Sequence, residues 1–477
     1  MATVTLTGAA GVLNPVTLDT TQTIQLAQQI VAAINAAAAA NTLNAVDFPG
    51  PFSPRGGINE AVIAPDTLSG SFEGPNGFQY VVDAAAVPVT ISAAANQTVL
   101  AGNSGVAVST AGGNSVVIGG GDNLVDLSRV GNTITLADGN NLVLGGSSGD
   151  STINGGTGNV TLFGSSGGNM VFLSTGTNAL FAGAGSDTYI GGGGSDTIVG
   201  GSGTPLVFGN TGPLTFVAGA GASTVVGSAE ATDQTLFGSA GSDITFTGFG
   251  SALYVAGTGS ETFDASSSGG DLTAYGAATG DSATISAGFG NNVVVGSSGQ
   301  TLVFGNLGPL TFVGGIGAST VIGSAGAPGP TLFGSAGSHF AFMGNSGALY
   351  IAGSGSESLD GSSSGGNLTL FGASGGNGAT LAGGSGNDTI IGSTGTTNMT
   401  GGAGANVFAF FHANGGGGVD TIKDFSANDL VLLSGYGAGG VASSVTAGGN
   451  TTLTLSDSTT ITFSGITNLN PNQIIKS

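Results

Sequence analysis

The 477-residue chain has no cysteine, no tryptophan and only four basic residues, Arg55, Arg129, Lys423 and Lys476. Without cysteine it can form no disulfide and no thiolate metal site, and it has no Cys nucleophile. Four cations cannot track a phosphate backbone, which argues against nucleic acid as a partner. An anionic membrane surface is disfavoured for the same reason. No apolar run approaches the roughly 20 residues needed to cross a bilayer, so the chain is not expected to span a membrane. The start, Met1 to Thr7, lacks a basic stretch followed by an apolar one, so no cleaved leader is expected. The two histidines, His339 and His412, give little material for a zinc site or a Ser-His-Asp triad. No catalytic residue is assigned, and the chain is read as a non-enzyme.

Glycine and acid are what the chain has in excess: 95 Gly and 26 Asp or Glu, for a net charge of −22. Such a composition can mean disorder, but 40% of the residues are hydrophobic, enough to bury a core. Acidic side chains favour hard divalent cations. Residues 1–100 read as a small α+β region. Thr3 to Thr7 alternates as a strand does, and Asp19 or Thr20 caps a helix from Thr21 to about Ala40. Ile24, Ala27, Ile30, Val31 and Ile34 share one face of that helix. Residues 48–74 read as a loop, with strands resuming near Gln79 to Val82.

From Gly146 to Ala409 the chain divides into consecutive units of nine residues, with eleven-residue units at 227, 265, 276, 323, 361 and 372. A looser beat extends back to about Ala101. A longer repeat is superimposed on these units. Gly212-Pro-Leu-Thr-Phe-Val recurs at Gly308, and Ser266-Ser-Ser-Gly-Gly recurs at Ser362. Segments 200–295 and 296–391 are therefore a tandem duplication. Fixed-period repeats are the signature of a solenoid. The expected fold is all-β, a parallel β-roll or β-solenoid over 101–409, with a β-rich C-terminal cap over 410–477. With two units per coil it would have about 14 coils and be roughly 65–70 Å long at about 4.8 Å per coil.

Gly191-Gly-Gly-Gly-Ser-Asp-Thr-Ile-Val199 and Gly383-Gly-Ser-Gly-Asn-Asp-Thr-Ile-Ile391 match G-G-x-G-x-D-x-U-x. In these units the chain resembles the RTX family of type I secreted proteins, including its surface-layer-like and adhesin-like members. The tail is similar too, in Val419-Asp-Thr-Ile-Lys-Asp-Phe425 and Asn428-Asp-Leu-Val-Leu-Leu-Ser434. The resemblance implies a short strand and a turn per unit, with turn glycines at positive φ and the U residue pointing inward. It also implies export by an uncleaved C-terminal signal, and Ca²⁺ held by the position-six Asp with turn carbonyls. On that basis the metal candidates are Gly183, Gly185, Asp187, Gly192, Gly194, Asp196, Asp243, Gly384, Gly386 and Asp388. The competing reading is a metal-free ladder of Asn and Ser, because Asn169 and Asn178 stack on Asp187 and Asp196 and leave the sites short of charge. Asp420, Asp424 and Asp429 could hold another ion in the tail, but a solvated loop is the preferred reading for them.

The penultimate residue of each unit is almost always apolar and should point inward, so the last residue should point outward. In alternate units that last residue forms an apolar ladder, including Phe163, Phe181, Phe237, Tyr275, Phe333 and Phe371 and running to Ile391 and Ala409. An exposed apolar ladder of this extent exceeds what a soluble monomer shows and implies an interface. The expectation is a secreted, calcium-binding structural protein at the cell surface. It would assemble with copies of itself into a layer or filament. The alternatives are a monomeric RTX adhesin or ligand-binding module, with cell-surface polysaccharide as its partner, and a solenoid enzyme acting on polysaccharide through Glu261 with Asp264 or Glu357 with Asp360.

Overall fold

The computed structural model describes residues 1–127, 129–146, 150–209, 211–229, 231, 234–372, 378–412 and 416–477. It is nearly all-β and contains a parallel β-solenoid of about 20 turns. Two compact units divide the chain, Met1–Leu236 and Phe237–Ser477. Parts of the units at 146, 227 and 372 lie outside the described residues.

Within each unit, every repeat strand pairs in parallel with the strand two ahead of it. Asn178–Phe181 pairs with Asp196–Val199, for example, and Thr188–Ile190 with Leu206–Phe208. Alternate strands therefore build two facing sheets. The apolar residues between them are buried, among them Val171, Leu180, Tyr189, Ile198 and Val207 in the first unit. In the second unit the interior includes Tyr254 stacked on Phe263 at 4.2 Å, and Phe340 edge-on to Phe312 and Tyr350.

The parallel stack begins earlier than the repeat pattern suggests. Leu43–Asp47 pairs with Ile58–Ile63, which pairs with Tyr80–Asp83 and so on. The stretch 48–74, expected to be irregular, therefore contains the strand Ile58–Ile63 and the short strand Ser71–Glu73. The helix Thr21–Ala39 forms as expected, with the Thr20 hydroxyl accepting the Thr23 N–H. Together with the antiparallel hairpin Ala2–Thr7/Leu13–Leu18 it covers the outer face of these first strands. Val4, Leu6, Leu18, Val31 and Ile34 pack there on Val62, Val82 and Leu100. Asn35 ties helix to hairpin by accepting from the Thr7 N–H and hydroxyl. At the other end, Val419–Ile422, Leu430–Ser434 and Ile474–Lys476 continue the parallel pairing. The hairpin Val441–Ala447/Asn450–Leu455 joins through Thr460–Phe463.

The turn glycines around Asp187 and Asp196 serve close stacking rather than left-handed backbone. Gly183, Gly185, Gly192 and Gly194 do not adopt positive φ, contrary to the expectation from the family pattern. A methyl group on each would instead overlap the carbonyl oxygen one coil earlier, of Ser165, Gly167, Ser174 and Gly176 respectively. Gly193 differs, since its added carbon would make only ordinary contacts, with Thr175 Cγ2 at 3.7 Å and Thr211 Oγ1 at 3.9 Å. Gly194→Ala should therefore destabilise the chain by at least about 1–3 kcal/mol, the usual cost of overpacking. Gly193→Ala should be near neutral, and urea denaturation of the two variants checks the contrast.

Candidate functional site

Position six of the repeat lies at or just before the start of its strand and, at most turns, faces inward. Asp187, Asp196 and Asp388 are all about 1% exposed there. A buried carboxylate needs hydrogen bonds, and the stacked coils supply them. The Asn169 N–H and Nδ2 both donate to Asp187 Oδ1, at 2.8 and 2.9 Å, and the Tyr189 hydroxyl donates to Oδ2. Asn178 Nδ2 donates to Asp196 at 2.6 Å. The Leu368 and Gly384 N–H groups donate to the two oxygens of Asp388 at 2.7 and 2.8 Å.

These contacts are pieces of a longer ladder. The Asn114 N–H donates to Asn132 Oδ1, Asn132 to Ser151 Oγ, Ser151 to Asn169 Oδ1 and Asn169 to Asp187 Oδ1, one coil per step. The second unit repeats the rule from Leu368 through Asp388 and Asn406 to Asp429. In this arrangement Asp does the same work as Asn and Ser. Among the described residues, no group of three or more His, Asp or Glu side chains lies together at these turns. The turns at Asp187 and Asp388 therefore do not fit calcium as they stand, because N–H and O–H donors already occupy both oxygens of each carboxylate. The candidate glycines Gly183, Gly185, Gly192, Gly194, Gly384 and Gly386 lie against carbonyls of the neighbouring coil.

Asp243 does not belong to this set, because it is exposed. In residues 238–246 and their copy at 334–342 the inward phase slips by one residue. Gly241 and Gly337 take φ of 72° and 78° in these turns. Ser242, Ile244 and Phe246 face inward in the first copy, and Ser338, Phe340 and Phe342 in the second. Asp243 and His339 are consequently turned outward. The position-six glutamates are buried as a pair of copies. Tyr254 and the Gly257 N–H donate to Glu261 Oε2, and Tyr350 and the Gly353 N–H donate to Glu357 Oε2. Burial nevertheless raises both above the usual carboxylate range. Asp264 and Asp360 point to the opposite side of their strands, where each accepts a backbone N–H. Neither Glu-Asp couple converges as paired carboxylates would.

In the tail, Asp424 clamps the N–H groups of Gly401 and Gly402, and Asp429 accepts from Asn406 and Ser426. Asp420 and Asp429 are 1% exposed, not solvated, because their strands continue the stack. Neither Asp420 oxygen has a hydrogen-bond partner. Burial pushes Asp420 up to about 7; Thr397 beside it offsets this in part without reaching hydrogen-bond geometry. Asp83 is also pushed to about 7 by burial, despite the Ala85 N–H.

The outward ladder lies where strand alternation places it. Phe163, Phe181, Phe237, Tyr275 and Phe333 are 36–44% exposed, and the Phe163 and Phe181 rings stack at 4.9 Å. Phe371 is half-buried, whereas Ile391 and Ala409 are buried and end the ladder earlier than expected. Sequence reasoning missed Met170, Phe172 and Phe208, exposed on the opposite sheet. Phe172 and Phe208, as last residues of the other alternate units, carried that signal. It also missed Phe249 and Phe289 on turns of the second unit, which strand patterning does not reach. No protein-family model matches the chain, and no curated protein matches it.

Asp83 and Asp420 each keep a proton in the folded chain that the unfolded chain releases near pH 4. Their contribution is thus fully present below about pH 4 and is lost as pH rises to about 7, at roughly 1.4 kcal/mol per pKa unit. Asp420→Asn and Asp83→Asn should each flatten the fall in stability between pH 4 and 7. Urea melts across that range check this, and an unchanged slope would contradict it.

Proposed function

We propose that this is an extracellular structural protein that assembles with copies of itself, as a surface layer or filament, through the outer faces of its solenoid. One observation carries the reading. In a chain of net charge −22, the strands around Phe163 and Phe181 in the first unit project no charge outward between Asn159 and Val217, and those around Tyr275 and Phe333 in the second unit project none between Ala252 and Ile391. Apart from Asn159, the outward residues of these strands are Thr, Ala, Val, Leu, Ile, Phe or Tyr. Thr161, Thr197, Thr215 and Thr311 alternate with the outward apolar positions Phe163, Val199, Val217 and Val313, so these strands offer a paired Thr and apolar surface. At roughly 25 cal/mol per Å², a few hundred Å² of such surface contributes several kcal/mol before association costs.

Net charge sets the condition for that assembly. Acidic copies repel one another at long range. Calcium enters the proposal as the divalent counter-ion that screens this repulsion, with the repeat turns held by their own ladder. Export to the cell surface, by the tail that resembles a type I signal, is the corresponding proposal for location.

Phe237→Asp with Phe333→Asp should leave circular dichroism and melting temperature nearly unchanged and abolish assembly in calcium, as read by sedimentation velocity. Assembly like that of the parent would reject the face as an interface. A parent chain that stays monomeric with and without calcium would favour the adhesin reading, and binding of isolated cell-wall polysaccharide by that monomer would establish it.

A further inference from the structure

The helix and hairpin at the start of the chain cover a face that is not wholly apolar. Glu60 lies in the strand Ile58–Ile63 and is 0% exposed. It stacks between Ala45 and Tyr80, and alternation places it on the same face as Val62. Val62 and Tyr80 pack in the cluster beneath the helix, so Glu60 points into that layer and not into the solenoid interior. Asp47 pairs with Val62 in the neighbouring strand, on the same face, as the diagonal neighbour of Glu60.

Both Glu60 oxygens and Asp47 Oδ1 are buried without a hydrogen-bond partner. This sets Glu60 apart from the repeat carboxylates Asp187, Asp388, Glu261 and Glu357, each of which accepts at least one hydrogen bond. The two charges are close enough to repel, and burial with that repulsion disfavours ionised Glu60. Nothing in the chain answers them: among the described residues no Lys or Arg pairs with either side chain. An unpaired buried carboxylate costs several kcal/mol, and the half-buried Asp47 beside Glu60 adds to that cost. Unpartnered carboxylate oxygens that face one layer from adjacent strands are the kind of ligand a hard cation takes.

We infer that Glu60 and Asp47 together hold a divalent cation of the Ca²⁺ or Mg²⁺ class beneath the helix Thr21–Ala39, fastening the helix–hairpin cap to the first coils. The site is separate from the repeat turns and from the outer faces proposed for assembly. The cation supplies the missing positive charge and joins two adjacent strands, so its binding free energy adds directly to the stability of the cap. Without it, the first two strands are the weak point of the N-terminal unit.

Hydrogen exchange on the full-length chain tests this, with calcium alone, magnesium alone and chelator as the three conditions. In the parent, calcium or magnesium should slow exchange in 43–47 and 58–63 at least tenfold. Glu60→Gln should abolish the slowing. Asp47→Asn, which keeps Glu60, should raise the cation concentration for half-protection at least tenfold. Melting of Glu60→Gln in chelator should equal or exceed that of the parent, because the uncompensated charge is gone. Equal exchange of these strands in chelator and in both cations would overturn the site, leaving Glu60 as a buried protonated acid. Retained slowing in both variants would overturn it too, by placing the cation elsewhere. Neither outcome touches the assembly proposal, which is read by sedimentation.

Discussion

Everything in this molecule depends on the spacing between coils. Parallel strands in register sit about 4.8 Å apart, and each turn must follow its neighbour at that same distance. At Gly183, Gly185, Gly192 and Gly194 no side chain fits between one turn and the carbonyls of the turn before it. Close stacking then brings each position-six side chain within reach of the N–H one coil away. The polar ladder from Asn114 to Asp187 is the result. Glycine abundance and the recurring Asn, Ser and Asp are two consequences of one repeat distance.

Much of this could be read from the amino acids. The period of nine, the inward U residue and the outward Phe163, Phe181, Phe237 and Phe333 all follow from strand alternation in a strictly repeating chain. What escaped was local. Ile58–Ile63 reads Ile-Asn-Glu-Ala-Val-Ile and lies between proline-rich and glycine-rich stretches, yet it is a strand, because the Leu43–Asp47 and Tyr80–Asp83 strands flank it. Asp243 matched position six in spacing but not in space, since the turn at Gly241 shifts the phase by one residue. The motif also fits an acceptor in a hydrogen-bond ladder as well as it fits a metal ligand, because both roles need an inward oxygen at the start of a strand. Only the positions of the Asn169 and Leu368 donors separate the two.

The carboxylates divide by whether the backbone reaches them. Asp187, Asp388, Asp424 and Asp429 are satisfied, and they stitch coil to coil or cap to coil. Glu60 and Asp420 are buried without partners. They lie in the first strands of the stack and in its C-terminal tail, where the regular succession of turns gives way to the caps. The outer faces show the complementary pattern. Charge is kept off the strands that carry the exposed aromatic residues, so a strongly acidic chain still offers surfaces on which copies can meet.

The ladder is the central claim, and one substitution pair isolates it. Asp187→Asn with Asp196→Asn keeps an acceptor oxygen at each step and removes the charge a calcium site would need. If the ladder holds the turns, this variant melts at or above the parent temperature, both in calcium and in chelator. A variant that melts like the parent in chelator but well below it in calcium would contradict the account and return these aspartates to the role of metal ligands.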